Sequence, residues 1–473
     1  MSEKGYVGLG EARMIGVFGK SGAGKSWLAA YIIAGFAKNK DMGILILDPQ
    51  GEFANNFPSS NLPFHQIIRF ACGRELTIIR SDEIKLNPDN VYDVALFTKK
   101  LFAAKSLFPT SPDKYEEFLS ELYEEIIITR QDKQEDAKQE QQLNCINPVA
   151  CYVEVTKANK DNNLDKAAKI LGLSHDKLKE SLQKGNKEEE LITKIWEKFL
   201  ASFYPVLNRV FTQETVRRIK SDLDNAKRDK SRIELFKKYL NLFDTSQGVT
   251  VDHIVDLLLT QRRVVILDLS KLEDRFPGID EVELTAFFMS RIIGKIREKA
   301  EELFEKSRNN LVNVLIAMDE AHNYVGALGS DLPEDLKQLK RQIVKNVKET
   351  RKYGIGWLFI TQTTVDFDKE IYRQLHDYFF LYGLGVGADL QHMKEVVPKE
   401  FVEHYRSLPN PKLTNNYWAM HAGSLTVLNT ATTATFIRLP TPDEFLQLNF
   451  GMTLDELRQR EKETDQLKSK PVD

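Results

Sequence analysis

Eight residues, GKSGAGKS at 19–26, carry the plainest chemistry in the chain. Gly19, Gly24, Lys25 and Ser26 occupy the fixed positions of the G-x-x-x-x-G-K-[ST] phosphate loop, with Ser21, Gly22 and Ala23 inside it. Glycines let main-chain N–H groups close around a β-phosphate, and a following helix adds the positive end of its dipole. Lys25 is expected to reach the β- and γ-phosphates and the Ser26 hydroxyl to ligate Mg²⁺, so ATP with Mg²⁺ is the expected cofactor pair.

Such a loop needs acids from another strand. The run VLIAM at 314–318 leads into Asp319, Glu320, Ala321 and His322. Asp319 is the expected metal-side carboxylate, and Glu320 the general base that orients and polarises the attacking water. His322 either bonds a sensor residue or is structural. The same tetrapeptide occurs in the Asp-Glu-Ala-His-box helicases, but there it follows the phosphate loop far more closely. Here nearly three hundred residues separate Lys25 from Asp319, which leaves too little chain afterwards for the second core domain of such an enzyme.

The elements that must position these residues are nearly continuous apolar runs: MIGVFG (14–19), ILILD (44–48), RVVILDLS (263–270), NVLIAMDE (313–320) and GWLFITQ (356–362). Strands buried on both faces of a mostly parallel sheet read this way. LTIIR (76–80), YFFLYGL (378–384) and TATFIRLP (433–440) are further candidates, and helical patterns between them predict a three-layer α/β core. From 112 to 243 strand signals nearly vanish and charged helical stretches take over, including the polar QDKQEDAKQEQQ at 131–142. The expected organisation is a first core segment over 1–111, a helical insertion over 112–243, a second core segment over 244–450, and a polar tail over 451–473 that frays.

Composition sets the outer bounds. Apolar residues make up 42% and charged residues 29% of 473, enough for a sizeable buried core. The net charge of -3 excludes a globally basic nucleic-acid binder, so any DNA contact must be a local basic surface. Cys72, Cys145 and Cys151 fit no metal spacing and no disulfide framework, which suits a reducing compartment. No apolar run approaches the ~18 residues of a membrane span, and the N-terminus lacks a signal-peptide pattern, so a cytoplasmic protein without a membrane partner is expected.

Two more stretches complete a pattern. ILILDPQGEF (44–53) sets an Asp-Pro-x-Gly-Glu-aromatic turn after the second strand, and ETRKYGIGWLFITQ (349–362) sets Arg-Lys-aromatic-Gly before a strand ending in Thr-Gln. With the phosphate loop, VVILDLS and DEAHNY, these motifs resemble, in order, the HerA branch of the HerA/FtsK motor superfamily. The resemblance spans about 14–440 and implies a RecA-like P-loop NTPase core carrying a helical insertion. It also implies a homo-hexameric ring that hydrolyses ATP between subunits and moves double-stranded DNA, commonly with a partner nuclease or another effector, as in bacterial antiphage gene pairs. By the same resemblance Gln362 is a sensor of the γ-phosphate, and Arg351 a finger acting on a neighbouring subunit's nucleotide, with Arg13 as a second candidate. Asp48 and Glu52 match the family turn; Glu52 either positions the attacking water or, with Asp48, braces the phosphate loop. Members of the branch usually begin with a small β-barrel, whereas 18 residues precede Gly19 here, so a shortened form is expected. An effector-organising scaffold without translocation is the other reading.

Two surface features leave alternatives open. Lys337, Arg341, Lys345, Lys348 and Lys352 share a helix face opposite Leu336, Leu339, Ile343 and Val347, as a DNA-facing stripe or a solvated face. AAKILGLSHDKLKESL (167–182) resembles a helix-turn-helix with Gly172 in the turn, whose reader would be 174–179; a plain helical corner would read alike.

Overall fold

The computed structural model describes residues 13–57, 62–135, 145–161, 163–183, 187–306, 311–326, 333–423 and 434–468. It divides into two compact units. The first comprises Met1–Ser81, Asp252–Lys271 and Glu281–Asp473; the second comprises Asp82–Val251 and Leu272–Asp280.

The strands are, in chain order, β1 (Met14–Phe18), β2 (Gly43–Asp48), β3 (Leu76–Arg80), β4 (Ile84–Lys85), β5 (Val249–Thr250), β6 (Val264–Asp268), β7 (Val314–Met318), β8 (Ile355–Thr361), β9 (Asp377–Leu381), β10 (Trp418–Gly423) and β11 (Thr435–Arg438). Nine of them form one sheet in the first unit, ordered β11-β10-β9-β1-β8-β7-β2-β6-β3. β3, β6, β2, β7, β8, β1 and β9 all pair in parallel; β10 runs antiparallel to both of its neighbours. Every expected strand is present. β10 was not expected, because WAMHAG has neither β-branched residues nor an apolar run, and its place at the sheet's far side comes from pairing with β9.

All residues of β1, β2, β7, β8 and β9 are buried, so neither face of the central sheet meets water. Successive side chains serve opposite layers. Ile44 and Ile46 join a core cluster with Ala29, Ile33 and Ala37 of the helix Lys25–Ala37, while Leu45 and Leu47, equally buried, face away from it. That cluster also takes in Phe445 and Leu446 of the helix Pro442–Phe450, and Tyr31 stacks on Phe445 with ring centroids 3.9 Å apart. The expected fraying tail is a docked helix, Leu454–Lys468. Leu457 is fully buried, Gln66 Nε2 donates to Glu461 Oε1 at 2.9 Å, and Arg460 Nη1 donates to the Phe70 carbonyl. Leu454 packs on the same core beside Leu457.

Among its described residues the second unit is helical apart from loops and the short β4–β5 pair, and it contains the 112–243 stretch. Its core is aromatic: Phe102, Trp196, Phe199, Phe203 and Phe236 contact one another, and Trp196 Nε1 donates to the Ala226 carbonyl at 3.0 Å. The helices Leu164–Leu171 and His175–Gln183 meet at Gly172, whose φ of 67° closes the corner, and Leu178 and Leu182 point inward. Cys145 and Cys151 form a disulfide with Cα atoms 5.2 Å apart, which corrects the expectation of no disulfide. The turn capped by Asn147 at the start of the helix Pro148–Lys160 brings the two thiols together, a local geometry that spacing rules for metal or secreted frameworks do not encode. Residues 136–142 of the polar stretch lie outside the described residues. Among the described residues no helix is long and apolar enough to cross a membrane.

Candidate functional site

Four adjacent parallel strands, β1, β8, β7 and β2, present their C-terminal ends along one edge of the sheet, where open α/β sheets bind ligands. The phosphate loop follows β1, Gln362 follows β8, Asp319 and Glu320 follow β7, and Asp48 to Glu52 follow β2. Parallel pairing thus gathers at one edge residues scattered over more than three hundred positions of sequence.

The loop begins stitched to both neighbouring strands: Gly19 N donates to Thr361 O at 3.2 Å and Lys20 N to Tyr382 O at 3.1 Å. Gly22 and Gly24 have φ of 79° and 94°, values that favour glycine. Side chains also lie close to both glycines, a movable lysine end at Gly22 and an aromatic ring at Gly24. A Cβ on Gly22 would stand 2.8 Å from Lys412 Cε, and one on Gly24 would stand 2.8 Å from Tyr417 Cδ1. Lys412 and Tyr417 are therefore neighbours of the loop that no sequence motif marked. Ser21 is exposed, Ala23 buried and Ser26 half-buried.

Lys25 is only 7% exposed. Burial pushes its ammonium down, against the upward pull of Glu320, Asp319 and Glu52. Those three carboxylates therefore sit near the lysine. Asp319 is 3% exposed, and its carboxyl is held well above the usual carboxylate range, first by burial and then by Asp48, Glu320 and Glu52.

Glu320 has φ of 46°, a left-handed conformation that costs a non-glycine residue energy and clusters at functional sites. The turn is held in place by Ala321 N donating to Ile360 O at 2.9 Å. Gln362 Nε2 donates to Glu320 Oε1 at 3.0 Å. The other oxygen, Oε2, is buried without a hydrogen-bond partner; His322 Nδ1 lies 3.3 Å away but is not aligned to bond it. His322 thus sits beside Glu320 rather than on Gln362.

Asp48 is fully buried, and the turn uses both of its oxygens: Oδ1 accepts from Glu52 N at 3.1 Å and Oδ2 from Ala54 N at 2.8 Å. It shapes the turn that presents the half-buried Glu52. The donor set fits a divalent cation. A hydroxyl at Ser26 and a desolvated carboxylate at Asp319 are hard oxygen ligands, and a cation would relieve the charge crowded among Asp319, Glu320, Glu52 and Asp48.

The two arginines lie elsewhere. Arg13 immediately precedes β1, and Arg351 falls in the 3₁₀ turn Thr350–Tyr353 ahead of β8, both at the N-terminal edge. Strand rise places them about 20 Å from the phosphate loop of their own chain. The Arg351 side chain lies outside the described residues. In the helix Glu334–Glu349, Leu336, Leu339, Ile343 and Val347 are buried, while Arg341, Lys345 and Lys348 are exposed, as is Lys352 beyond its end. Arg341 pairs with Glu334 at 3.4 Å and Lys348 with Glu370 at 2.5 Å.

The profile of a known family, Helicase HerA, central domain, matches residues 11–296. That is more than half of the chain. The protein belongs to the HerA family. The matched stretch contains the phosphate loop and the Asp48–Glu52 turn; Asp319, Glu320 and Gln362 lie beyond it. Among solved structures, VirB4 of Thermoanaerobacter pseudethanolicus is similar at 11% identity and a TM-score of 0.41, over 90% of this chain and 89% of that one. The genome packaging NTPase B204 from Sulfolobus turreted icosahedral virus 2 in complex with sulfate is similar at 14% identity and a TM-score of 0.26, over 40% of this chain and 71% of that one. Its complex with ATP-gammaS gives 14% identity, a TM-score of 0.25 and the same coverage. No curated protein matches the chain.

Proposed function

We propose that this HerA-family protein is an ATP-driven ring motor that hydrolyses ATP between subunits and translocates on or remodels double-stranded DNA together with a partner effector such as a nuclease, in antiphage defence in the cytoplasm. The observation that carries the catalytic part is the state of Glu320. One carboxylate oxygen is held by Gln362 at 3.0 Å, and the other is buried without a hydrogen-bond partner in the same edge as Lys25. Glu320 Oε2 accepts a proton from water as the water oxygen attacks the γ-phosphorus and the bond to the bridging oxygen breaks, releasing ADP, while Gln362 keeps the carboxylate from rotating away. Lys25 and the loop N–H groups hold the β- and γ-phosphates in line for that attack. Mg²⁺, held by Ser26 and Asp319, would supply charge neutralisation on the phosphate oxygens.

Arg13 and Arg351 lie at the far edge from their own phosphate loop, so an arginine finger from either serves a neighbouring subunit. Turnover is then coupled to assembly of a homo-hexamer. The motor is built on the first unit, within the expected 1–111 and 244–450 segments, and the second unit, which takes 82–111, 244–251 and 272–280 along with the 112–243 insertion and its helical corner at 167–182, offers a surface for the effector or for DNA. The exposed cations Arg341, Lys345, Lys348 and Lys352 face DNA phosphates.

The test is the ATPase rate of the purified protein with and without linear duplex DNA, alongside its mass by light scattering. A hexamer-sized particle stimulated by DNA is expected. A hexamer indifferent to DNA would replace the motor with a nucleotide-gated scaffold, and absence of turnover with and without the effector would remove the ATPase assignment.

A further inference from the structure

The sensor strand and the phosphate loop are joined by a carboxylate that no motif predicts. Asp389 lies in the first turn of the helix Gly387–Lys394 and is 7% exposed. Its Oδ1 accepts three hydrogen bonds, from Thr364 N at 2.7 Å, Thr363 Oγ1 at 2.8 Å and Thr364 Oγ1 at 2.9 Å. Its Oδ2 accepts from Lys20 Nζ at 3.1 Å. Thr363 and Thr364 directly follow Gln362, and Lys20 is the second residue of the phosphate loop. One carboxylate thus holds both the strand exit that carries the glutamine and the loop that carries the polyphosphate.

The surroundings are shaped for this link. Gly383 has φ of 104°, and a Cβ there would stand 2.5 Å from Lys20 Cγ, so the lysine stem crosses a gap that only glycine leaves open. Burial pushes the Asp389 carboxyl up, but the Thr364 N–H, the two hydroxyls and Lys20 outweigh it and hold it below the usual range, so it is ionised and its bonds are charge-assisted. The helix does not depend on Asp389 for its seat. His392 Nδ1 lies 3.0 Å from the Thr364 carbonyl, Tyr372 OH donates to His392 O at 3.0 Å, and Met393 is fully buried.

We propose that Asp389 is a positioning residue that makes filling of the phosphate loop and seating of Gln362 on Glu320 one coupled event, with Lys20 as its contact on the loop. Polyphosphate ordering the loop orders Lys20; Lys20 fixes Asp389; Asp389 fixes the 363–364 backbone and with it the glutamine side chain 3.0 Å from Glu320. The coupling rests on the ATPase reading given above, and it assigns Asp389 to turnover and not to nucleotide affinity.

The experiment compares Asp389→Asn, Lys20→Met and the double variant in two readouts. In steady-state ATP hydrolysis, each single variant is expected to lose about tenfold in kcat while the Kd for a fluorescent ADP analogue stays within about twofold. The double variant is expected to be no worse than the poorer single one, because the two residues form one link. The second readout is hydrogen–deuterium exchange across 361–366, which a non-hydrolysable ATP analogue is expected to slow in the wild type and not in Lys20→Met. Lys20 is half-exposed, so this variant carries the test even where an Asp389 variant folds poorly. Equal protection in wild type and Lys20→Met, losses that multiply, or a Kd that weakens as much as kcat falls would each overturn the proposal. A wild type that never turns over ATP but shows the nucleotide-dependent protection would sink the ATPase reading and leave the link standing.

Discussion

Gln362 Nε2 donates to Glu320 Oε1 at 3.0 Å, joining the exit of β8 to the strained turn after β7. This bond holds one glutamate oxygen, while the other is buried without a hydrogen bond, 3.3 Å from His322 Nδ1, which suits the proposed general base. In Glu320→Gln the charge disappears while the size remains. The variant is expected to bind ATP with near wild-type affinity and to lose about 10²–10⁴ in turnover. A single-turnover assay with radiolabelled ATP, run beside a binding titration, decides it; an active variant removes Glu320 from the mechanism.

Lys25→Ala acts on a different quantity. Its ammonium is buried, with Glu320, Asp319 and Glu52 acting on it from nearby. Removing charge-assisted bonds to phosphate is expected to weaken ATP binding about ten- to a hundredfold, read by fluorescence titration with a labelled nucleotide. Unchanged affinity would mean that polyphosphate binds elsewhere.

Asp48 makes stability depend on pH. Its carboxyl is pushed up to about 7, chiefly by burial and further by Asp268, against the Ala54, Gly51 and Glu52 N–H groups. The unfolded value is about 3.9, so between the two the folded chain holds the extra proton. The group's contribution to stability is therefore full below about pH 4 and is lost as pH rises through about 7. Asp48→Asn removes the titration. The difference in Tm, wild type minus variant, is expected to fall between about pH 4 and pH 7 and to level off above that. A constant difference would show that Asp48 is ionised throughout.

The helical unit offers a test of packing alone. Phe199 is fully buried against Phe102, Trp196, Phe203 and Phe236. Phe199→Ala is expected to cost about 3–5 kcal/mol, measured by urea denaturation with tryptophan fluorescence, because the rigid rings around it cannot close the cavity. A loss below about 1 kcal/mol would mean that these helices rearrange freely.

Much of this protein is legible in its sequence because the information is local. The phosphate loop needs glycines, a lysine and a serine at fixed spacing within eight residues, and strands buried on both faces must be written as apolar runs. Tertiary structure alone decided the rest. β10 carries no strand signature and takes its place from β9; the 454–468 helix reads as a tail until Leu457 finds the core. The order β1-β8-β7-β2 decides that Gln362 meets Glu320, and the parallel run of β8 beside β1 puts Arg351 at the edge away from the phosphate loop. Asp389, an ordinary aspartate in GADLQ, takes three hydrogen bonds from Thr363 and Thr364 and a fourth from Lys20, 369 residues away in the chain. Spacing encodes what one turn or one strand must do, whereas the partners of a buried carboxylate are set by which strand ends the sheet places side by side.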